Sequence, residues 1–511
     1  MYHKINSSTL KGLEAVPVSV ETDISDGLPV MDMVGYLAGE VKEARERVRT
    51  ALKNSGFSIP IKRITVNISP AAIRKQGTAF DLPIALSIMV CMGLVEAKSL
   101  EGSCVMGELS LDGSIKGVTG VLPRVISARE CGLKTCYVPA ENVNEAAVVE
   151  GVKVIGVSSL LQALSHLKGE SVIPPVQRDI KKLLANPGRG NIPDFSELAG
   201  QPLLKRALEV AASGMHNILI VGPPGAGKTM AAKRLPGILP PLTPDECMEL
   251  TKIYSIAGML PEEGIITSRP FVSPHHSCTP QSLAGGGSIP RPGAISLSHR
   301  GVLFLDELPE FSKDSLEILR QPLEDKKVNI ARAAASYTFP ADFLLAAAMN
   351  PCRCGYYPDR NRCRCTHAEV RSYMSRISGP LLDRMDICVT ADEPGFDTLT
   401  NPEKGESSAS IMERVEKAHE IQLKRFSNEG ITCNSQMNPS QIMKYCILGQ
   451  RENAMLRNAF KKLSLSARAC HRVLRVARTL ADLSDSPKIK EQHLTEALSF
   501  KLPDAGYFDM G

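Results

Sequence analysis

The stretch GPPGAGKT, residues 222–229, sets three glycines ahead of Lys228 and Thr229, behind the apolar run NILIV and before a helical pattern. Glycines let consecutive backbone N–H groups curl round an anion, and a helix N-terminus favours negative charge there. The G-x-x-x-x-G-K-[ST] spacing in strand–loop–helix context therefore reads as a triphosphate cradle of Gly222, Pro223, Pro224, Gly225, Ala226 and Gly227. In it Lys228 is expected to reach the β- and γ-phosphates of ATP and Thr229 to ligate Mg²⁺. A second motif, GVLFLDELPEF, ends an apolar run, Val302 to Leu305, on Asp306 and Glu307. Open α/β sheets bind ligands at that carboxyl end, so Asp306 is expected to hold Mg²⁺ through water and Glu307 to polarise the attacking water. Asn350 ends another apolar run, DFLLAAAMN, from where its amide can orient the same water. Arg384, in RISGPLLDRMDICV, is either an arginine finger given to a neighbouring subunit or the partner of Asp383 or Asp386 in a local ion pair.

Directly behind Asn350 comes NPCRCGYYPDRNRCRC, two C-x-C pairs eight residues apart. Cys352, Cys354, Cys363 and Cys365 offer four thiolates to a tetrahedral Zn²⁺, with Gly355 and Pro358 to turn the loop and His367 as a substitute ligand. Four sulfurs leave no open position, so the metal is expected to pin the loop between Asn350 and Arg384 rather than to catalyse. A redox pair is the alternative reading of the same cysteines.

These groups need a scaffold, and 511 residues supply more than one domain. Hydrophobic residues at 43% and charged residues at 23% fit a soluble globular chain. A net charge of +5 permits polyanion binding without arguing for it, and Trp 0 removes one obvious stacking platform for bases. No signal-peptide pattern or membrane-length apolar run is visible, and the other cysteines of the 14 are scattered singly, as in a reduced cytoplasmic protein. Pro, Gly and charge divide the chain into an α/β stretch 1–168, a Pro-rich linker 169–193, an α/β core 194–400 and helical patterns over 401–511.

The motifs DFSELAGQ, GPPGAGKT, GVLFLDELPEF, MNPCRCG and RISGPLLDRMDI resemble those of AAA+ ATPases, in the magnesium-chelatase-like branch and its ComM/YifB family, over nearly the whole chain. The resemblance implies that Asn350 is sensor 1, Arg384 a finger acting in trans, and Arg468 the sensor 2 arginine of a C-terminal helical lid, in cis or in trans. It further implies a ring, expected to be a homo-hexamer, that remodels single-stranded or branched DNA by branch migration in recombination or natural transformation. Between Lys228 and Asp306 the branch carries a pore hairpin, matched here by HHSCTPQSLAGGGSIPRPGAISLSHR with Arg291 near its turn. A second candidate hairpin, KKVNIARAAASYTFPADF, carries Lys326, Lys327 and Arg332. Basic hairpin tips in a pore would track a nucleic-acid backbone without sequence preference, making Arg291 and Arg332 the DNA-contact candidates.

Residues 1–168 resemble the Lon-protease-like domain of ribosomal S5 domain 2-type fold, with Ala79 where the protease has its serine and Leu122 where it has its lysine. Ala carries no oxygen to attack a peptide and Leu no amine to activate one, so Ser–Lys proteolysis is expected to be absent. Residues 451–490 hold ten Lys or Arg against three acidic residues, which an amphipathic helix explains by itself. Two rival functions remain: a chaperone ring acting on protein, for which Tyr337 is the nearest candidate aromatic, and the motor of a porphyrin metal chelatase.

Overall fold

The computed structural model describes residues 1–185, 192–287, 290–331, 336–393, 395, 405–463 and 465–500. It forms two compact units. One contains residues 1–185 together with Thr243–Thr267; the other contains residues 192–242 and 268–500.

The first unit is built on a seven-stranded sheet in the order Met31–Val34, Arg63–Ser69, Glu14–Ser25, Tyr2–Lys11, Ser103–Val105, Thr135–Pro139, Lys153–Val157. Helix Asp81–Cys91 is buried along its whole length, in keeping with a sequence, DLPIALSIMVC, that is apolar but for Asp81 and Ser87. The helix Pro244–Ala257 belongs to this unit although its sequence lies between the motifs of the other. Thr243 and Glu246 close its first turn in a reciprocal capping box, and Gly258, at φ 71, ends it in the left-handed region. Part of the stretch expected as a linker is ordered on the same unit: the Val176 N–H donates to the Val154 carbonyl at 2.9 Å, and Ile180–Ala185 is helical.

The second unit holds a five-stranded parallel sheet in the order Phe271–Val272, Val302–Leu305, Leu344–Met349, Ile218–Val221, Ile387–Thr390. Its central strands, VLFL, LLAAAM and ILIV, are wholly buried, the pattern of a parallel sheet covered on both faces. In chain order the first strand lies between the fourth and the fifth. The strand order therefore switches beside Ile218–Val221, which opens a crevice at its carboxyl end. Helix Pro202–Gly214 buries Leu204, Ala207, Leu208 and Ala211 at i, i+3, i+4 and i+7 against this core. The C-terminal helices Ser408–Arg425, Gln450–Lys462, Ala467–Leu483 and Glu491–Ser499 contribute Val415, Leu456, Ala477 and Leu494 to the same cluster.

Candidate active site

The strand register fixes which residues meet. Val221 pairs with Met349 and Leu305 with Ala347, so Gly222, Asp306 and Asn350 all emerge at the carboxyl edge of the sheet. Lys228 opens the helix Lys228–Ala232 behind Gly227, at φ 77, and its Nζ donates to the carbonyls of Gly222 and Pro223, at 2.7 and 2.9 Å. The same ammonium donates to Asn350 Oδ1 at 3.0 Å, which ties the loop to the neighbouring strand. Burial pushes the Lys228 pKa down, opposed by the carboxylates of Asp306 and Glu307. Thr229 Oγ1 donates to Asp306 Oδ2 at 2.6 Å, so the hydroxyl and carboxylate expected at Mg²⁺ stand side by side. Gly222 admits no side chain: a Cβ there would meet the Ala391 carbonyl at 2.3 Å. Gly225 lies at φ 83, a region costly for other residues, while Ala226 is buried and anchors the loop. This donor set fits a nucleotide with Mg²⁺ on Thr229 and Asp306. When bound there, the ion would neutralise negative charge on the phosphates.

Two neighbours of this cleft escaped the sequence reading. The Gln201 amide donates to the Ala226 carbonyl at 3.3 Å, bracing the phosphate loop from the start of helix Pro202–Gly214. The Nδ1 of His276 lies 3.3 Å from Glu307 Oε2, which faces the chain segment leaving strand Phe271–Val272.

Arg384 and Arg468 lie elsewhere, on a cavity of about 690 Å³ that Arg472 and Arg475 also line. Its wall includes Asn217, Arg300, Asp342 and Asp386, the residues before four of the parallel strands, so it lies at the amino edge of the sheet. From Asn217 to Gly222 is five residues of strand, roughly 16 Å. Neither expected local ion pair forms: Arg384 pairs with Glu324, and its Nη1 donates to the Pro380 carbonyl at 2.6 Å. Arg468 is exposed one turn before Arg472, whose Nη1 donates to the Met385 carbonyl at 2.8 Å. Burial alone would raise the Asp386 carboxyl, but Arg475, His216 and Arg472 outweigh it and hold it below its usual range.

The four cysteines converge. All four sulfurs lie within 4.8 Å of one another, with Cys352–Cys354 at 3.3 Å, Cys354–Cys363 at 3.5 Å and Cys352–Cys363 at 3.8 Å. A tetrahedral Zn²⁺ with Zn–S near 2.3 Å sets sulfurs about 3.8 Å apart, whereas a disulfide needs about 2.05 Å. The set fits zinc. Burial raises the Cys354 thiol, but the Tyr356 N–H and the adjacent thiols outweigh it and bring it to about 6. His367 does not join the cluster, because its Nε2 faces Arg360 Nη2 at 2.9 Å. Inside the clasp Gly355 packs on the phosphate loop: a Cβ there would lie 2.5 Å from Pro224 Cδ.

In the first basic hairpin Thr279 caps a helix over Pro280–Ala284, and among the described residues Gly285–Gly286 pairs with Arg291–Pro292. Arg291 is exposed on it. The second hairpin pairs Lys327–Ala331 with Ser336–Pro340, and its Ile330 Cδ1 lies 3.1 Å from where a Gly285 Cβ would stand. Lys326 is not at its tip but at its base, ion-paired with Asp342 at 3.2 Å, and Lys327 pairs in the ladder with Pro340. Arg332 lies outside the described residues. In the first unit Ala79 and Leu122, 1% and 0% exposed, sit in one apolar cluster with Cys247 and Ile265.

Fold and cleft together define an AAA+-type P-loop protein with a helical C-terminal region. The description "Magnesium chelatase, subunit ChlI" matches residues 194–398, "Subunit ChlI of Mg-chelatase" residues 20–142, and "Magnesium chelatase, subunit ChlI C-terminal" residues 405–501. YifB of Salmonella typhimurium is 40% identical over 98% of this chain and 97% of its own length. Competence protein ComM of Haemophilus influenzae is 40% identical over 97% of each chain. Lon protease 2 of Bacillus subtilis is 26% identical over 40% of this chain and 42% of its own. The chain belongs to the magnesium-chelatase-like ComM/YifB family of AAA+ proteins. Among the described residues no helix is long and apolar enough to cross a membrane.

Proposed function

We propose that the protein is a ring-forming ATPase, a homo-hexamer of the cytoplasm, that couples ATP hydrolysis to the remodelling of single-stranded or branched DNA. The observation that carries hydrolysis is the convergence of Lys228, Thr229, Asp306 and Asn350 at one sheet edge, with Glu307 beside them. Lys228 holds the β- and γ-phosphates, Thr229 and Asp306 hold Mg²⁺, and Asn350 orients a water that Glu307 polarises. Arg384 and Arg468 line one cavity at the opposite edge, roughly 16 Å of strand from the phosphate loop. In this reading both act on the nucleotide of a neighbouring subunit.

Zinc on Cys352, Cys354, Cys363 and Cys365 holds the loop that presses Gly355 onto Pro224, keeping the phosphate loop in register with Asn350. DNA is favoured as substrate by the exposed Arg291 on a short hairpin beside a second hairpin, and by the name of the relative ComM. Arg332 belongs to the same proposal. Recombination in natural transformation is the process that the relative's name suggests for this chain. The test is the ATPase rate with and without single-stranded, duplex and four-way-junction DNA. Stimulation by DNA, lost when Arg291 is replaced by Ala, is expected. A rate indifferent to every DNA but raised by unfolded protein would transfer the reading to a chaperone.

A further inference from the structure

The clasp carries charge as well as sulfur. In each C-x-C pair the flanking cysteines draw together with the other pair, Cys352 and Cys363 buried, Cys354 and Cys365 half-buried, while the middle residue is exposed. That residue is an arginine both times, Arg353 and Arg364. Neither forms a hydrogen bond or an ion pair with another described residue. Arg353 reaches Glu369 only through its field, because the Glu369 carboxylate is taken up by the Thr366 N–H at 2.8 Å. A third exposed guanidinium, Arg360, has no carboxylate partner among the described residues either. Its Nη1 donates to the Cys365 carbonyl at 3.1 Å and its Nη2 to His367 Nε2 at 2.9 Å. Two other arginines nearby are answered, Arg362 by Glu393 at 2.6 Å and Arg376 by Glu310 at 3.1 Å.

Four thiolates on one Zn²⁺ would retain two negative charges, which arginines beside the clasp would balance first. Three exposed guanidiniums without a carboxylate exceed that charge. A guanidinium is always ionised, and its planar fork matches phosphate oxygens. The adjoining tyrosines add little stacking surface: Arg362 lies over Tyr356 at 3.9 Å from the ring centroid, Arg360 over Tyr357 at 5.0 Å, and Tyr357 is buried. The loop therefore offers charge to a row of phosphates rather than a platform for bases.

We infer that the outer side of the clasp is a second DNA contact, in which Arg353 and Arg364 hold the phosphodiester backbone and Arg360 strengthens their field. Phosphates carry no sequence, so this contact is indifferent to sequence and takes duplex as well as single strands. The sulfurs and the residues between them then have separate tasks. The sulfurs set the loop against the ATP cradle, where Gly355 meets Pro224, and the arginines hold substrate on the same loop. The inference rests on the reading of DNA as the substrate.

The test is binding of a labelled oligonucleotide, single-stranded or duplex, to the full chain by fluorescence anisotropy across a series of sodium chloride concentrations. The parental chain is compared with the double variants Arg353→Ala/Arg364→Ala and Arg353→Lys/Arg364→Lys, and with Arg291→Ala. Loss of two phosphate contacts should reduce the log–log salt slope by about 1.4 for single strands and about 1.8 for duplex, a loss of roughly tenfold to thirtyfold in affinity near 0.15 M salt. The lysine pair, which keeps both charges, should keep the slope. Zinc content and KM for ATP in both double variants should match the parental chain. A parental slope in the alanine pair, or an equal loss in the lysine pair, would overturn the inference. The Arg291→Ala arm separates the two readings: if it weakens binding and the alanine pair does not, the clasp contact alone falls. A parental chain that binds neither oligonucleotide would remove DNA as the substrate, and this contact with it.

Discussion

At the carboxyl edge of the five-stranded sheet, Lys228, Thr229, Asp306 and Asn350 hold one another within hydrogen-bond reach. At the amino edge Arg384, Arg468, Arg472 and Arg475 surround a cavity whose nearest acids are Glu324, Asp342, Asp383 and Asp386. The first region has the loop proposed for phosphates and the carboxylates proposed for metal and water. The second has the cations that would stabilise negative charge developing on a transferred phosphoryl group. Roughly 16 Å of strand separates them. In the proposed ring each is half of a site, and two neighbouring copies together complete it.

The strongest disturbance of that comparison is at the phosphate loop. Lys228→Ala should abolish both ATP binding and turnover, measured by nucleotide titration and phosphate release, whereas Glu307→Gln should keep binding and lose about 10²- to 10⁴-fold in turnover. Equal binding losses in the two variants would mean that Glu307 belongs to the cradle. Next comes the opposite edge. Arg384→Ala should bind ATP normally and lose about 10³- to 10⁵-fold in turnover, as removal of an arginine finger does. A loss of nucleotide affinity instead would place Arg384 at its own subunit's loop.

A smaller effect tests the clasp, which meets the phosphate loop through Gly355 and Pro224. Cys352→Ser should take zinc from one per chain to well below that and raise KM for ATP about tenfold, while leaving kcat at saturation nearly intact. Elemental analysis and saturation kinetics read both. Protein purified without added metal that holds no zinc, with four free thiols, would refute the clasp.

The mildest concerns Asp386. Its folded-state pKa is depressed below 3.8, so its contribution to stability is present above about pH 4 and is lost as pH falls through the lowered value. Asp386→Asn should therefore flatten the acid limb of a stability-against-pH curve and leave the neutral region less stable. An unchanged acid limb would separate Asp386 from the arginines around it.

Much of this was legible in the sequence because buried parallel strands announce themselves. ILIV, VLFL and LLAAAM are short apolar runs, each leading into a site candidate, so Gly222, Asp306 and Asn350 could be placed at strand ends without knowing the sheet order. The cysteines were found by ligand spacing. What failed to show were contacts made when the chain returns from a distance: Glu324 on Arg384, His276 on Glu307 and Lys326 on Asp342. Each depends on which strands become neighbours, and local spacing does not encode that. The helix Pro244–Ala257 makes the same point, since its capping box is readable in sequence but its membership of the first unit is not. Ala79 and Leu122 went the other way: their side chains argued against Ser–Lys proteolysis on sequence alone, and the structure adds only that both lie in an apolar cluster.

In the proposed ring the two edges meet across subunits, and mixed rings would reveal that pairing. Rings assembled at equal ratio from Arg384→Ala and Glu307→Gln chains, each inactive alone, contain interfaces where an intact loop faces an intact finger. Random assembly makes these about a quarter of all interfaces, so turnover should recover to about a quarter of the parental rate. Verified mixed rings with no more activity than the two variants measured separately would contradict it.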